Sequence, residues 1–380
     1  MIVERFLEWI GTAPVARRAE GCHVLARSYL FSVLSADERD GLEAAMTVLL
    51  DDSAVAVRFA LAHALGDSDK APHHIILALS EDQPHVAALV AERSPLLLDT
   101  ELVDLLATRE EVIQIAIARR PVVSWAVAAA VSEVATAEAC LELLCNSGAR
   151  VPRFSLDRMV DRHGDDPELR ETLLLRNDLP LDVRQILVGN LTSRLETMLC
   201  ERNWLSAERA EKVLREARDK ATVVMAFEAP AAQIPALIRR LIADEDLTPA
   251  LLVRAVAGGQ TLFFIHALAQ LSGVPATRVE ALVVSGRAAN LKALLEKAKL
   301  PAATFPAFAA AIDVIRQFDG SEDAGSDYRR ATHLIDAIIQ RFQANPDRNI
   351  EQILGLLRRF ATEAKRDAAR IYVKQVLAAA

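Results

Sequence analysis

The 380-residue sequence has few aromatic residues, few cysteines and no long apolar run. Aromatic residues make up only 5% of the chain, which disfavours a sheet-rich fold because sheets favour aromatic and β-branched side chains. The four cysteines form no C-x-x-C pair, so we expect reduced thiols and no disulfide framework. No apolar run approaches the roughly 20 residues that cross a bilayer. Together these absences favour a soluble, cytoplasmic, helical protein.

The sequence also lacks the overall positive charge that attracts nucleic acid, since its formal net charge is −8. Positive charge is concentrated in residues 328–380, which carry about +5, whereas the rest of the chain carries about −13. Six basic residues recur there along an apolar helical pattern: Arg358, Arg359, Lys365, Arg366, Arg370 and Lys374. Two interpretations are open. In the first, this helix docks on an acidic partner or on a membrane surface. In the second, it packs against the acidic body of the same chain as a cap.

Helix starts are marked along the whole chain. Ser35 and Glu38 have the spacing of a capping box. Ser94, Asp166 and Thr248 each precede a proline, which predicts a side-chain cap followed by proline as the first helical residue. Between these signals, apolar residues recur three and four positions apart, and no stretch alternates strictly. The sequence therefore predicts an all-α fold with no significant sheet.

Two stretches in the C-terminal half repeat the same order of elements. Residues 250–275 and 277–302, offset by 27 positions, each contain an apolar helix, a glycine turn, a second apolar helix and a proline near the exit. Gly259 and Gly286 hold the same place in the two copies. No strand precedes Gly258-Gly259 and no phosphate-loop pattern follows it, so we interpret this pair as a tight helix–helix turn.

Similar units occupy the first half. Four helical patterns end on two apolar residues followed by a polar turn, at Leu49-Leu50, Ala78-Leu79, Leu105-Leu106 and Leu143-Leu144. One helix pair cannot bury its apolar stripe alone, so the sequence predicts an α-solenoid, a superhelical stack of antiparallel helix pairs. We divide it into N-terminal repeats (1–195), C-terminal repeats with a junction helix (196–318), an acidic flexible loop (319–327) and a basic helical tail (328–380). The junction helix is placed within residues 194–220.

One repeat resembles the HEAT type. Asp52, Val57 and Arg58 are similar to the turn and second helix of HEAT repeats, in which an acidic turn residue and an arginine tie successive repeats together. The signature is complete only here, because no arginine follows Asp82 at the same distance. The resemblance implies a degenerate HEAT-like array.

The second resemblance rests on residues 259–275 and their Phe263-Phe264 pair, followed by Val279 and Leu282. These residues resemble a bacterial family known only as domain of unknown function 2336, over roughly residues 34–318. The resemblance implies an all-α, HEAT-like fold, and it assigns no catalytic residue. At helical spacing, Phe263 and Phe264 are interpreted as core, the other reading being an exposed docking patch.

No recognisable constellation for metal binding or catalysis is present. His63, His73, His74 and His85 are close in sequence, but adjacent helical residues such as His73 and His74 point about 100° apart, so they do not converge on one ion. No serine or cysteine stands in a motif with a histidine and an acid. We therefore predict no metal, no cofactor and no enzymatic activity.

The predicted function is a non-enzymatic protein–protein interaction scaffold or regulatory adaptor, because stacked helix pairs form an extended concave surface. The expected partner is another protein, such as a bacterial signalling or regulatory protein, and an uncapped end could also form a homodimer. Arg254, Gln260 and Arg287 flank the repeated turns and are predicted to form a contact ridge. The alternative is a nucleic-acid-binding helical-repeat protein, which requires a continuous basic groove; an enzyme with an unrecognised site is third.

Overall fold

The computed structural model describes residues 6, 8–10, 12–108, 110–285, 287–318, 327–343 and 351–379. These residues form helices and no strand, and their β structure is limited to an isolated parallel bridge between Val123 and Ala149. The predicted all-α class is therefore confirmed. The chain divides into two compact units, unit 1 (residues 1–179) and unit 2 (residues 180–380).

Unit 1 is a series of short helices. Nine of its eleven named helices contain only eight to eleven residues. The helices are α1 (Val15–Phe31), α2 (Ala36–Leu49), α3 (Val55–Leu65), α4 (His73–Ser80), α5 (Pro84–Arg93), α6 (Asp99–Ala107), α7 (Glu111–Ala118), α8 (Trp125–Val134), α9 (Ala137–Cys145), α10 (Arg153–His163) and α11 (Pro167–Leu175).

These helices stack in two layers. In one layer, α1, α3, α5, α7, α9 and α11 each contact the next member, which is the next helix but one along the chain. In the other layer, α6 contacts α8, and α8 contacts α10. Fully buried aliphatic side chains, such as Leu61, Ile76, Leu106 and Ile117, fill the core. This arrangement is that of stacked helical repeats, as predicted.

The fourth predicted unit is placed in the wrong layer of helices. The first three apolar pairs lie at the ends of α2, α4 and α6, whereas Leu143-Leu144 lies in α9, which belongs to the other layer. The prediction missed the boundary between α8 and α9, because only Ala135 and Thr136 separate these two helices. A two-residue link leaves no polar stretch that would mark a turn.

Arginine side chains tie successive repeats of unit 1 together. Arg18 in α1 donates two hydrogen bonds to the Asp52 carboxylate, both 2.9 Å long. Arg58 in α3 donates to the Asp82 carboxylate at 2.5 and 2.8 Å, and to the Asp52 carbonyl oxygen at 2.6 Å. The HEAT-like tie predicted at Asp52 and Arg58 therefore occurs twice, and Asp82 takes part although no arginine follows it at the same distance.

Further along unit 1, the ties run to backbone carbonyls. Arg120 donates to the carbonyl oxygens of Ala91 and Ser94, at the end of α5. Asn146 donates to those of Ala118, the last residue of α7, and Arg120, which follows that helix. Arg162 donates to Ser132 and Ala135, at the end of α8. Each tie satisfies carbonyl groups that a helix end leaves without an intrahelical partner.

Unit 2 begins with two long helices, continues with shorter ones and ends with α21, which has 29 residues. The helices are α12 (Leu181–Glu201), α13 (Ala207–Glu228), α14 (Ile234–Ala243), α15 (Pro249–Ala257), α16 (Thr261–Ser272), α17 (Ala276–Ser285), α18 (Ala288–Lys297), α19 (Phe305–Phe318), α20 (Asp327–Gln343) and α21 (Glu351–Ala379). Short 3-10 turns, Ala231–Gln233 and Ala302–Thr304, precede α14 and α19.

The core of unit 2 surrounds α15, in which every residue from 251 to 257 is buried. Helix α15 contacts α13, α16, α19, α20 and α21. Phe263 and Phe264 are fully buried, which confirms their interpretation as core, and Phe264 stacks on Phe308 with 5.1 Å between ring centroids. The tail helices α20 and α21 are thus part of this core.

Two predicted features of the middle of the chain differ from the structure. Residues 194–220 do not form one junction helix, because they contain the turn between α12 and α13, which pack against each other as a hairpin. The division between the units falls between residues 179 and 180, whereas we predicted it after residue 195, a position inside α12. The predicted acidic loop (319–327) lies outside the described residues except for Asp327, where α20 begins.

Most of the predicted helix caps are confirmed. The Ser35 hydroxyl accepts from the Glu38 N–H, and the Glu38 carboxylate accepts from the Ser35 N–H. Asp166 and Thr248 cap α11 and α15. The prediction for Ser94 is wrong, because Ser94 ends α5 and its N–H donates to the Val90 carbonyl oxygen. Its hydroxyl instead accepts from the Leu96 N–H in the loop that precedes α6.

The predicted repeat in the C-terminal half is confirmed as two helix–turn–helix units. Helices α15 and α16 start 27 positions before α17 and α18, respectively. Gly259, between α15 and α16, has φ +82°, a left-handed conformation that glycine adopts at little cost. Its counterpart Gly286 lies outside the described residues.

The turns that follow α16 and α18 each contain a residue in the left-handed conformation, but only one of these residues is a glycine. Gly273 after α16 has φ +66°, and Lys299 after α18 has φ +57°. A left-handed conformation costs a non-glycine residue roughly 1 kcal/mol. We expect Lys299→Gly to raise the free energy of unfolding by up to about 1 kcal/mol and Gly273→Ala to lower it by a similar amount. Urea denaturation measures both changes, and equal signs for the two variants would contradict this account.

Loss of one arginine tie should destabilise unit 1. Arg58→Met keeps the aliphatic stem but leaves Asp82, whose side chain is 11% exposed, without its partner. We expect a loss of about 3 kcal/mol near neutral pH. The hydrogen bond from Arg58 holds the pKa of Asp82 below its usual value, a contribution that is present above the unfolded-state pKa and is lost as the pH falls through the folded-state pKa. The loss should therefore shrink towards acid.

Chemical denaturation of the wild type and of Arg58→Met between pH 2 and pH 7 measures this dependence, because the folded-state pKa of Asp82 lies below its usual value. The double variant Arg58→Met/Asp82→Asn is the control, because it removes the charge that the single variant leaves unpaired. We expect the double variant to be more stable than the single one at pH 7. A double variant that is no more stable would exclude the unpaired carboxylate as the cause.

Candidate interaction surfaces

Four exposed apolar side chains gather where α6, α8 and α10 begin. Leu98 precedes α6, Trp125 is the first residue of α8, and Phe154 is the second residue of α10. Their exposed fractions are 58%, 63% and 55%, and Val122, just before α8, is 71% exposed. We call Leu98, Val122, Trp125 and Phe154 the apolar ridge. They lie at corresponding places in three successive repeats.

Hydrogen bonds hold the starts of these helices together. The Ser124 hydroxyl donates to the Asp99 carboxylate at 2.6 Å, which joins the beginning of α8 to the beginning of α6. The Val123 N–H donates to the Gly148 carbonyl oxygen, and the Arg150 N–H donates to the Val123 carbonyl oxygen. These two bonds fix the segment before α8 beside the segment before α10. The apolar ridge is therefore carried by an ordered backbone.

Exposed apolar side chains in this grouping suit a protein contact. Trp is among the residues that contribute most to the free energy of protein–protein binding, and an exposed apolar patch marks an interaction site more often than scattered single residues do. The sequence pattern did not reveal the ridge, because helical periodicity does not tell which residues at a helix start stay uncovered. The one sequence feature that pointed to the ridge was Trp125, a large residue at the N-terminus of the alanine-rich α8.

Arg254, predicted to belong to an exposed contact ridge, is buried instead, with 8% of its surface exposed. Its guanidinium donates to the Glu363 carboxylate at 2.6 Å and lies 4.0 Å from the centroid of the Phe360 ring. Its Nε atom is buried and makes no hydrogen bond within the described residues. Arg254 therefore fastens α15 to the tail helix α21 and is not available to a partner.

The two other residues of the predicted contact ridge lie at helix starts. Gln260 directly precedes α16 and is partly exposed, and its N–H donates to the Ala255 carbonyl oxygen. Arg287 precedes α18, is exposed, and its carbonyl oxygen accepts from the Asn290 and Leu291 N–H groups. The structure does not join them to Arg254 in one exposed ridge, and their role in binding stays a prediction.

The tail helix α21 packs inside unit 2. Its apolar residues Ile353, Leu357, Phe360 and Ala361 are buried and belong to the unit 2 core. Of the two interpretations of the basic tail, the structure therefore shows the internal cap. These four apolar residues are covered within unit 2 and are therefore not available to a membrane or a partner.

Ion pairs reinforce this docking. Arg359 pairs with Glu216 of α13 at 2.7 Å, and Lys220 of α13 pairs with Asp367 at 2.6 Å. Lys365 pairs with Asp336 of α20 at 3.0 Å. Positive and negative residues of the tail both take part, so the tail is not held simply by its net charge.

Three of the four remaining tail residues predicted to bind a partner, Arg358, Arg366 and Arg370, are exposed on α21. Arg358 and Arg366 are exposed, and Arg370 lies 3.7 Å from the Asp367 carboxylate. Lys374 belongs to α21, but its side chain lies outside the described residues. Binding by these four residues stays a prediction.

Asp219 of α13 is a buried carboxylate close to the Arg254 contact. Burial raises the pKa of Asp219 to about 6, although the charges of Arg254, Arg218 and Arg215 act in the opposite direction. Arg218 itself is hydrogen-bonded to Asp246 at 2.6 Å. Asp219 thus carries a charge at neutral pH in a place that disfavours it.

The histidines and cysteines that the structure describes lie apart from one another or are buried. His73 lies 3.3 Å from the Glu101 carboxylate, while the exposed His74 lies 3.0 Å from the Thr47 hydroxyl. Within the described residues, no three His, Cys, Asp or Glu side chains are grouped as metal ligands. The cysteines are free, and burial raises the pKa of Cys22 to about 12 and that of Cys140 to about 11. Both buried thiols are protonated at neutral pH and are poor nucleophiles.

Neutralising Asp219 should stabilise the protein in a pH-dependent way. Its folded-state pKa is raised, so its favourable contribution is complete below the unfolded-state pKa and is lost as the pH rises through about 6. Asp219→Asn mimics the protonated form at every pH. We expect it to raise the free energy of unfolding by up to about 3 kcal/mol above pH 7 and by little near pH 4. Denaturation across this pH range measures the difference, and a constant gain would contradict the assignment.

Among the helices in the described part of the chain, none combines the length and apolar character needed to cross a membrane. Neither the curated proteins nor the solved structures include a match to this chain. A family model described as "Uncharacterised protein conserved in bacteria (DUF2336)" matches residues 86–373, which include the tail helices beyond the segment that carried the sequence resemblance. Because this match covers more than half of the 380 residues, the chain belongs to that bacterial family.

Proposed function

We propose that this chain is a non-enzymatic interaction scaffold or regulatory adaptor whose partner protein binds the apolar ridge of unit 1. The observation that carries the proposal is the exposure of Leu98, Trp125 and Phe154 at corresponding places in successive repeats. An isolated exposed apolar residue is common on any protein surface, but three near the starts of neighbouring helices of one layer can be met by one partner segment.

The shape of the ridge suits an extended or helical segment of the partner. Packed helices lie about 10 Å apart, so the starts of α6, α8 and α10 span about 20 Å. A helix covers that distance with about 13 residues, and its apolar side would meet each ridge residue in turn. The ordered backbone at Val123 and Ser124 favours binding, because little conformational freedom is lost when the partner docks.

Nucleic acid is less well supported as the partner, because many arginines of unit 1 already have a carboxylate. Arg18 and Arg58 bind aspartates, and Arg119 and Arg158 pair with Glu142 and Glu133. A cation that is neutralised within the chain contributes little to the counterion release that drives binding to a phosphate backbone. An exposed aromatic ridge supports a protein partner more directly.

The test replaces the two aromatic residues of the ridge. Trp125→Asp/Phe154→Asp should keep the fold, because both side chains are exposed, and should weaken partner capture by about tenfold or more. Capture of the endogenous full-length protein from its own bacterium, with quantitative mass spectrometry, measures this. Leu175→Asp is the matched control, since Leu175 is exposed in unit 1 but lies outside the ridge. Identical capture by all three proteins would refute the ridge as the binding surface.

A further inference from the structure

Helices α13 and α15 of unit 2 pack side by side and run in the same direction. The Arg218 side chain of α13 donates at 2.6 Å to the carboxylate of Asp246, which precedes α15. Further along both helices, the Val223 side chain lies against Gly258, which follows the last residue of α15. These two contacts set which residues of the two helices face each other.

This register brings Asp219 of α13 opposite Arg254 of α15. Asp219 lies four residues before Val223 and Arg254 lies four residues before Gly258, so each is about one helical turn from that contact. Both are buried, with 9% and 8% of their surfaces exposed. Of the positive charges that act on Asp219, that of Arg254 acts most strongly, although two arginines share the helix of Asp219. Asp219 is thus a second carboxylate in the surroundings of Arg254.

Neither of these buried groups has all of its hydrogen bonds. Arg254 donates to the Glu363 carboxylate of the tail helix α21 at 2.6 Å, but its Nε atom has no partner within the described residues. The Asp219 carboxylate likewise receives no hydrogen bond from a described residue. A buried donor and a buried acceptor without partners are each unfavourable, and a hydrogen bond between them would satisfy both. An arginine side chain has enough rotatable bonds to turn from one carboxylate to the other.

We propose that Arg254 exchanges Glu363 for Asp219 when the tail helix α21 lifts from α13 and α15. In the docked state, Arg254 holds the tail through Glu363 and the Phe360 ring. In the lifted state, Arg254 binds Asp219, so neither charge is left without a partner. Loss of one partner of a buried ion pair is normally strongly unfavourable, and the second carboxylate reduces this penalty. Helix α21 can therefore open while the rest of unit 2 stays folded. This exchange is independent of the apolar ridge in unit 1.

The exchange makes the docking of the tail depend on pH. In the docked state, burial and the charge of Asp246 raise the pKa of Asp219 to about 6, against the charges of Arg254, Arg218 and Arg215. In the lifted state, water and the hydrogen bond from Arg254 stabilise the charged form and bring this pKa back towards its usual value. The docked state therefore binds the proton more tightly. Acid favours docking, and docking weakens as the pH rises through about 6.

Hydrogen exchange of the full-length protein, followed by mass spectrometry in residues 353–370 of α21, tests the proposal. This segment should be less protected than α16, which shows that the tail opens without unfolding of unit 2. Its protection, corrected for the intrinsic exchange rate, should fall by about tenfold between pH 5 and pH 7, because the pKa of Asp219 differs between the two states. Asp219→Asn should abolish this pH dependence. The control Asp336→Asn should keep it, since it removes only the carboxylate that pairs with Lys365 of the tail. Equal protection of the two helices, a wild type without the pH dependence, or an Asp219→Asn variant that retains it overturns the proposal.

Glu363→Gln tests the exchange even if Asp219→Asn fails to fold. At pH 7, Arg254 can turn to the ionised Asp219, so this variant should lose little of the wild-type protection in residues 353–370. At pH 5, Asp219 is protonated and cannot replace Glu363, so the loss relative to the wild type should be larger. In the Asp219→Asn background, the larger loss should occur at both pH values. Equal losses for Glu363→Gln at pH 5 and pH 7 would show that Arg254 does not exchange its partner, and would overturn the proposal.

Discussion

Most helices of unit 1 contain only eight to eleven residues, and isolated helices of that length are not stable in water. Each helix is stable only because its neighbours cover its apolar side. The contacts run from each helix to the next but one, so every repeat depends on the repeats beside it. This dependence explains why the apolar residues recur so regularly along the chain, and why a single unit would not fold alone.

Stacking short helices creates a second requirement, because a helix end appears about every ten residues and leaves carbonyl groups without partners. The structure meets it with long side chains that reach across from a neighbouring repeat, as Arg120 and Arg162 do. In unit 2, the long side chain that links two helices binds a carboxylate. Arg254 is buried against the Phe360 ring and paired with Glu363, so a cation lies inside the packing of the tail.

Local patterns predicted much of this architecture. The helical period, the caps at Ser35, Asp166 and Thr248, and the glycine turn at Gly259 depend on residues within a few positions of each other, and the structure confirms them. A turn of only two residues, Ala135 and Thr136 between α8 and α9, was missed. The turn that ends α12 was missed for a related reason, because it uses Asn203 in a left-handed conformation and contains neither glycine nor proline.

The sites were harder to predict, because they depend on pairs of residues far apart in the sequence. Arg254 looks like a surface arginine until Glu363, 109 positions later, is placed beside it. The apolar ridge has the opposite problem. Trp125 and Phe154 are large apolar residues of the kind that usually lies in a core, and only the packing of α6, α8 and α10 shows that they remain exposed. Sequence periodicity identifies the covered side of a helix better than it identifies exposed residues at its ends.

The two kinds of tie in unit 1 differ in how they respond to acid. Burial alone would raise the pKa of Asp52, but hydrogen bonds from Arg18 and the Ala54 N–H outweigh it and lower that pKa. Protonation of Asp52 or Asp82 at low pH nevertheless removes the charge that holds the arginine. The carbonyl oxygens bound by Arg120 and Arg162 have no proton to gain in this range. Acid thus loosens the carboxylate ties of unit 1, whereas the ties to backbone carbonyls stay in place.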